Sequence, residues 1–188
     1  MDFQKLLRKV AEILEQLRIP YAVTGGYAVS VWGKPRSTLD VDVIIELFEP
    51  QIEKLTSALR RISKMSYVDE HMVRWAFERK GEFNFIHIES GIKVDFWISK
   101  GDEFSRGELR RRISKVIAGQ RVCFVSPEDL ILNKLRWHKE SGSELQLRDV
   151  EVVMKFQKKL DKKHLIKWAK VHSTLEKLET IWEKVKQR

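Results

Sequence analysis

The chain has 188 residues, 43% of them hydrophobic and 34% charged, and a formal net charge of +9. That length holds one domain, or one domain with a helical extension, and that composition excludes a disordered chain. The positive balance favours an anionic partner such as a nucleotide, RNA or an acidic protein, and the lone Cys123 excludes an intrachain disulfide.

Met1-Asp2-Phe3-Gln4-Lys5 lacks the form of a signal peptide. No apolar run approaches the ~20 residues that a membrane-spanning helix requires. With one unpaired cysteine, a reducing cytoplasm is the expected location. Phe3, Leu6, Leu7, Val10, Ile13, Leu14 and Leu17 recur at helical spacing, which predicts a scaffold helix ended by Ile19-Pro20.

The next stretch carries the chemistry. Tyr21, Ala22 and Val23 read as a short buried strand. Gly25 and Gly26 follow and open a helix whose apolar face is Ala28, Val29 and Trp32. Glycines let backbone N–H groups approach an anion, and the unpaired N–H groups of a helix N-terminus suit phosphate. Asp40 and Asp42 stand two apart on the following strand, so both carboxylates face one side while Val41, Val43 and Ile45 face the core. Two adjacent carboxylates repel and are best tolerated around a hard divalent cation such as Mg²⁺.

Pro50 marks a helix start, and Ile52, Leu55, Leu59 and Ile62 form its stripe. Met72 to Glu78, Phe83 to Glu89 and Ile92 to Ile98 read as three strands of an antiparallel meander, with turns at Lys80-Gly81 and Ser90-Gly91. The last of them alternates Ile92, Val94, Phe96 and Ile98 with Lys93, Asp95 and Trp97. Asp95 is thus an acid in an apolar strand, a costly choice unless it is paired or binds metal. Should this strand neighbour that of Asp40 and Asp42, three carboxylates converge, as two Mg²⁺ ions would require.

Residues 101 to 119 hold Arg106, Arg110, Arg111, Arg112 and Lys115 among apolar positions. A solvated amphipathic segment is the plain expectation, and a basic rim over the site is the alternative. Arg121 to Val125 reads as a strand. Ser126-Pro127-Glu128-Asp129 is a helix start, with Leu130, Ile131 and Leu135 buried and Lys134 near the apolar face, its ammonium snorkelling to water. Ser141-Gly142-Ser143 is a joint. Helices are expected over Leu145 to Lys158, Asp161 to Val171 and Thr174 to Lys186, the last capped by a Ser173–Glu176 box. Arg148 and Asp149 open the first of these, and Asp149 reads as structural. The five histidines lack zinc-ligand spacing. Trp32, Trp75 and Trp97 sit among apolar neighbours and read as core.

Taken together, Gly25-Gly26, the thirteen residues Tyr27 to Leu39, Asp40-Val41-Asp42 and Val94-Asp95-Phe96 resemble the pattern of the DNA polymerase β-like nucleotidyltransferases. Arg36-Ser37-Thr38-Leu39-Asp40 is similar to the variant in minimal nucleotidyltransferases and abortive-infection toxin relatives, as is Ser126 to Leu135 followed by Arg148-Asp149. One departure is Gly26, which replaces a serine hydroxyl. The resemblance implies an α+β fold: a mixed β-sheet flanked by helices in a core over 1–125, with a C-terminal helical region over 126–188 packed on it. It implies a Mg²⁺-dependent nucleotidyltransferase with two metal ions on Asp40, Asp42 and Asp95. Gly25, Gly26, Arg36, Thr38 and Lys134 would bind the NTP. The acceptor would be RNA, a protein or a small molecule, and a toxin–antitoxin partner is implied. Two other readings stand beside it: an idle fold of this type acting as a binding subunit of a two-protein module, and an RNA-binding module built on arginines and tryptophans.

Overall fold

A computed structural model describes residues 2–35, 38 and 40–187. The first helix, α1 (Phe3–Gln16), is capped by Asp2, whose carboxylate accepts from the Lys5 N–H. It leads to β1 (Tyr21–Thr24), α2 (Gly25–Trp32) and β2 (Asp40–Ile45). After α3 (Ile52–Arg60) come β3 (Ser66–Tyr67), α4 (Glu70–Arg79), β4 (Glu82–His87) and β5 (Ile92–Ile98). Then follow α5 (Glu103–Arg110), β6 (Ile113–Ile117) and β7 (Gln120–Phe124). The chain ends in α6 (Pro127–Ser141), α7 (Glu144–Phe156), α8 (Lys162–Val171) and α9 (Leu175–Lys186).

The strands make one mixed sheet in the order β3-β4-β5-β2-β1-β7-β6. β2 runs parallel to β5, and β1 parallel to β7; the other pairs are antiparallel. This is the α+β class expected of the sequence. The parallel β2–β5 pair needs a long crossover, which α3, α4 and β4 supply. Val41, Val43, Ile45, Val94 and Phe96 are fully buried or nearly so, so the period-two pattern places one face of the central strands in the core and the acids on the other. The helices α1, α3 and α4 pack in sequence against one another, with α1 meeting β7 and α4 meeting β4. On the C-terminal side α6 and α7 pack together and against α2, and α8 and α9 lean on them.

Three expectations fail. Met72 to Glu78 is helix, not strand. The Asp69 carboxylate caps the Met72 N–H, Arg74 pairs with Glu70 one turn back at 2.7 Å, and Val73 and Ala76 form the buried stripe. The meander's first strand is instead the two-residue β3, paired with β4. Within 101–119 the amphipathic, solvated character expected is found, divided between α5 and an exposed β6. The Ser173–Glu176 capping box does not form, because Ser173 has left-handed backbone (φ 56) and Thr174 takes the cap position. Asp149 does not open its helix: α7 starts at Glu144, which puts Asp149 a turn inside and buried.

Candidate active site

The site is assembled where β1 hands over to α2. Gly25 is the first helical residue and has φ +65; a Cβ built there would lie 1.8 Å from Oδ2 of Asp42. Only a residue without a side chain lets the Asp42 carboxylate sit this close to the helix N-terminus. Asp42 is the register partner of Thr24 on β1 and of Asp95 on β5. Residues in register on adjacent strands share a face, so the two acids from separate chain segments stand side by side.

A cleft of about 430 Å³ opens over this point, and Gly25, Gly26, Thr38, Asp40, Asp42, Asp95 and Lys134 all line it. Thr38 folds back on its neighbour: its hydroxyl donates to the Asp40 carbonyl (3.0 Å) and accepts from the Asp40 N–H (3.3 Å). Arg36 lies outside the described residues.

Lys134 does not snorkel. It is 3% exposed and its Nζ lies 2.8 Å from Oδ2 of Asp149, itself buried on α7. An ammonium held out of water needs such a carboxylate, and the pair fixes Lys134 at the cleft wall. Trp97 and Trp137 complete that wall, their rings 6.5 Å apart. Trp97 is therefore half-buried at the cleft rather than in the core, and its indole N–H points to Oδ1 of Asp42 at 3.4 Å. Trp75 also departs from expectation: it is exposed on α4 beneath the Arg79 guanidinium. Trp32 is core as expected, with its N–H donating to the Val125 carbonyl.

The electrostatics are those of crowded acids. Burial, reinforced by the Asp95 charge, holds the Asp42 carboxyl above the usual carboxylate range. Glu82, across from Trp97 on β4, is also raised, by burial and then by Asp95. Asp95 is 8% exposed; its Oδ2 lies 2.8 Å from the Lys93 ammonium, and its Oδ1 is buried with no hydrogen-bond partner. Among the described residues no group of three His, Cys, Asp or Glu side chains is arranged to hold a metal: one Asp95 oxygen is turned to Lys93 and one Asp42 oxygen to Trp97. The donor set nonetheless fits a hard cation. All three groups are carboxylates lining one cleft, and one buried Asp95 oxygen has no hydrogen-bond partner. Lys93, Trp97 and Glu82 are neighbours of the acids that the motif pattern missed, whereas Asp149, which the pattern includes, is the structural partner of Lys134. The alternation of β5 already put Lys93 and Trp97 on the Asp95 face; nothing in the pattern reveals what each would touch.

The family model described as Nucleotidyl transferase AbiEii toxin, Type IV TA system, matches residues 8–150. The chain belongs to this AbiEii family. It is a nucleotidyltransferase of the abortive-infection toxin group. The matched residues contain Gly25-Gly26, all three acids and the buried Lys134–Asp149 pair. No curated protein matches the sequence. Among solved structures, the AbiEii-family chain is similar to an antigenic nucleotidyltransferase-like protein from Paracoccidioides brasiliensis (TM-score 0.60, 18% identity, 96% of this chain and 91% of that one). It is also similar to ANT(2")-Ia in complex with adenylyl-2"-tobramycin (TM-score 0.54, 14% identity, 98% and 97%). A third is the lincomycin-bound lincosamide antibiotic adenylyltransferase LnuA (TM-score 0.54, 16% identity, 81% and 97%). At these identities what is shared is the fold.

Proposed function

We propose that this chain moves a nucleoside monophosphate from an NTP to a hydroxyl acceptor in the cleft, releasing pyrophosphate. One observation carries the reading: Asp42 and Asp95 are register partners on parallel strands, beside a glycine whose missing side chain makes room for the Asp42 carboxylate. The N–H groups at the start of α2 would hold the β and γ phosphates. Lys134, fixed by Asp149 at the cleft, would offset triphosphate charge. Thr38 would brace the strand entry, and Arg36 is proposed as a second phosphate ligand on the strength of the motif. Asp40, Asp42 and Asp95 would hold two Mg²⁺ ions, whose charge would stabilise the attacking and departing oxygens. The acceptor hydroxyl gives its proton to Asp95 as its oxygen bonds the α-phosphorus, and the bond from that phosphorus to the pyrophosphate oxygen breaks.

No helix among the described residues is long and apolar enough to cross a membrane. We propose that the chain acts in the cytoplasm as the toxin of a toxin–antitoxin pair. The test is labelling of cellular RNA, protein and small molecules by each of the four α-labelled NTPs with Mg²⁺. Asp42→Asn and Asp95→Asn should each cut labelling by about a hundredfold or more while circular dichroism stays unchanged. Labelling that survives both substitutions would leave an idle fold as the better reading.

A further inference from the structure

Lys93 sits on β5 one strand-period before Asp95, so the two side chains leave the sheet on the same face. Its ammonium contacts Oδ2 of Asp95 at 2.8 Å and is about a third exposed, whereas Asp95 is almost wholly buried. The same carboxylate keeps its other oxygen buried and unpartnered. Thus one Asp95 oxygen faces a cation on a flexible tether and the other faces none. The acids lining the cleft are not gathered around a common point in this arrangement.

We propose that Lys93 is a resident counter-ion of the acid cluster, which a divalent cation must displace from Asp95. The inference rests on the reading of Asp95 as a metal ligand. The physical case is one of competition. Three clustered carboxylates repel, and a nearby ammonium lowers that repulsion before metal and nucleotide arrive. A divalent ion seeking both Asp95 oxygens meets a monovalent charge already on one of them. Lys93 can leave, because its end is solvent-exposed and its four-carbon stem is flexible. Asp95 cannot follow, because it is fixed in the strand between Val94 and Phe96, both fully buried. Metal loading therefore turns the ammonium outward, toward solvent. Lys93 is a positioning residue in this account: it acts through Asp95 and sets the metal concentration at which the site assembles.

Calorimetric titration of Mn²⁺ and of Mg²⁺ into the wild-type chain and into Lys93→Met, without nucleotide, tests this directly. Removing the competing charge should tighten binding by up to about fivefold, the range expected for losing one partly exposed ion pair at the site. The metal-free Lys93→Met chain should melt lower than wild type, and saturating Mg²⁺ should close that gap. Lys93→Gln, which keeps a polar end, should show the same tightening if Lys93→Met folds poorly. Unchanged or weaker binding in both variants overturns the counter-ion proposal and leaves the transferase reading standing. If no divalent ion binds the wild-type chain and Asp95→Asn transfers as well as wild type, both readings fall together.

Discussion

Gly25 shows how much of a site one residue can decide. Its φ of +65 and the 1.8 Å approach of Asp42 to a would-be Cβ are two separate demands for glycine. Gly25→Ala must either strain the backbone or push Asp42 out of register with Asp95. Thermal unfolding should show a loss of about 1–3 kcal/mol, the cost of a non-glycine residue forced into that region. Transfer should fall further than stability explains, since the displaced group is the central carboxylate. At this scale the sequence was informative wherever the pattern itself carries the geometry. Gly-Gly before a helix and Asp-x-Asp on a strand declare their faces by period alone, and all the described residues picked out for the site line one cleft. What stayed hidden were contacts that depend on a rotamer or on a strand neighbour. Trp97 looked like core because Phe96 and Ile98 flank it, yet its N–H is aimed at Asp42. Glu82 lies thirteen residues from Asp95 in the chain and becomes its neighbour only through the β4–β5 pairing.

At the level of elements, pairs of helices carry buried charge that no single helix reveals. Lys134 of α6 and Asp149 of α7 have side chains only 4% exposed each. Removing one member of such a pair takes away the other's close counter-charge, at about 3–5 kcal/mol. Asp149→Leu should therefore lower the melting temperature sharply, and Lys134→Met with Asp149→Leu should recover most of it. Transfer should stay lost in the double variant, because the phosphate-facing charge is gone; a double variant that regains activity would remove Lys134 from the nucleotide site. A second element pair is sensitive to pH. Glu108 of α5 accepts a hydrogen bond from the Asn133 side chain of α6, and burial, with Asp129 nearby, pushes its carboxyl up to about 8. The folded chain thus keeps a proton that the unfolded chain releases near 4.5. Below that value the two states bind it equally; from there to about 8 stability falls with rising pH, by at most about 1.4 kcal/mol per unit. Glu108→Gln should keep the bond to Asn133 and flatten that fall, as denaturant midpoints from pH 5 to 8.5 would show. The helix mistaken for a strand, α4, has a similar lesson. Met72 to Glu78 alternates and is rich in β-formers, but the cap from Asp69 and the Glu70–Arg74 pair lie at its edge, where period-two counting does not look.

Over the whole molecule, the sheet order could not be read locally. The β2–β5 pairing spans about fifty residues of chain, and only the need to cluster three acids suggested it. Equally invisible was how the C-terminal helices are locked to the core. Asp129 on α6 is fully buried and takes bonds from the Ser126 hydroxyl (2.7 Å) and the His164 Nε2 (2.6 Å), with the Arg111 guanidinium 3.4 Å away. Arg111 comes from the end of α5 and His164 from α8, so one carboxylate joins three distant segments. Glu128 beside it reaches the same arginine and accepts from the Asp161 N–H that starts α8. Asp129→Ala should take the carboxylate from His164 and leave Arg111 with only its longer contacts to Glu128 and Asp161. Losing hydrogen bonds to a buried charged group, at about 1.5–3 kcal/mol and roughly 2–4 °C per kcal/mol for a chain of this size, predicts a melting temperature lower by about 3 °C or more. His164→Ala should cost less, because its side chain is partly exposed and Arg111 would still face Asp129. The decisive reading is where the damage shows: hydrogen exchange should rise first in α8 and α9, which hang on this joint, while β2 and β5 stay protected. Uniform loss of protection in Asp129→Ala would mean that the C-terminal helices and the sheet unfold as a single unit, with the joint no weaker than the core.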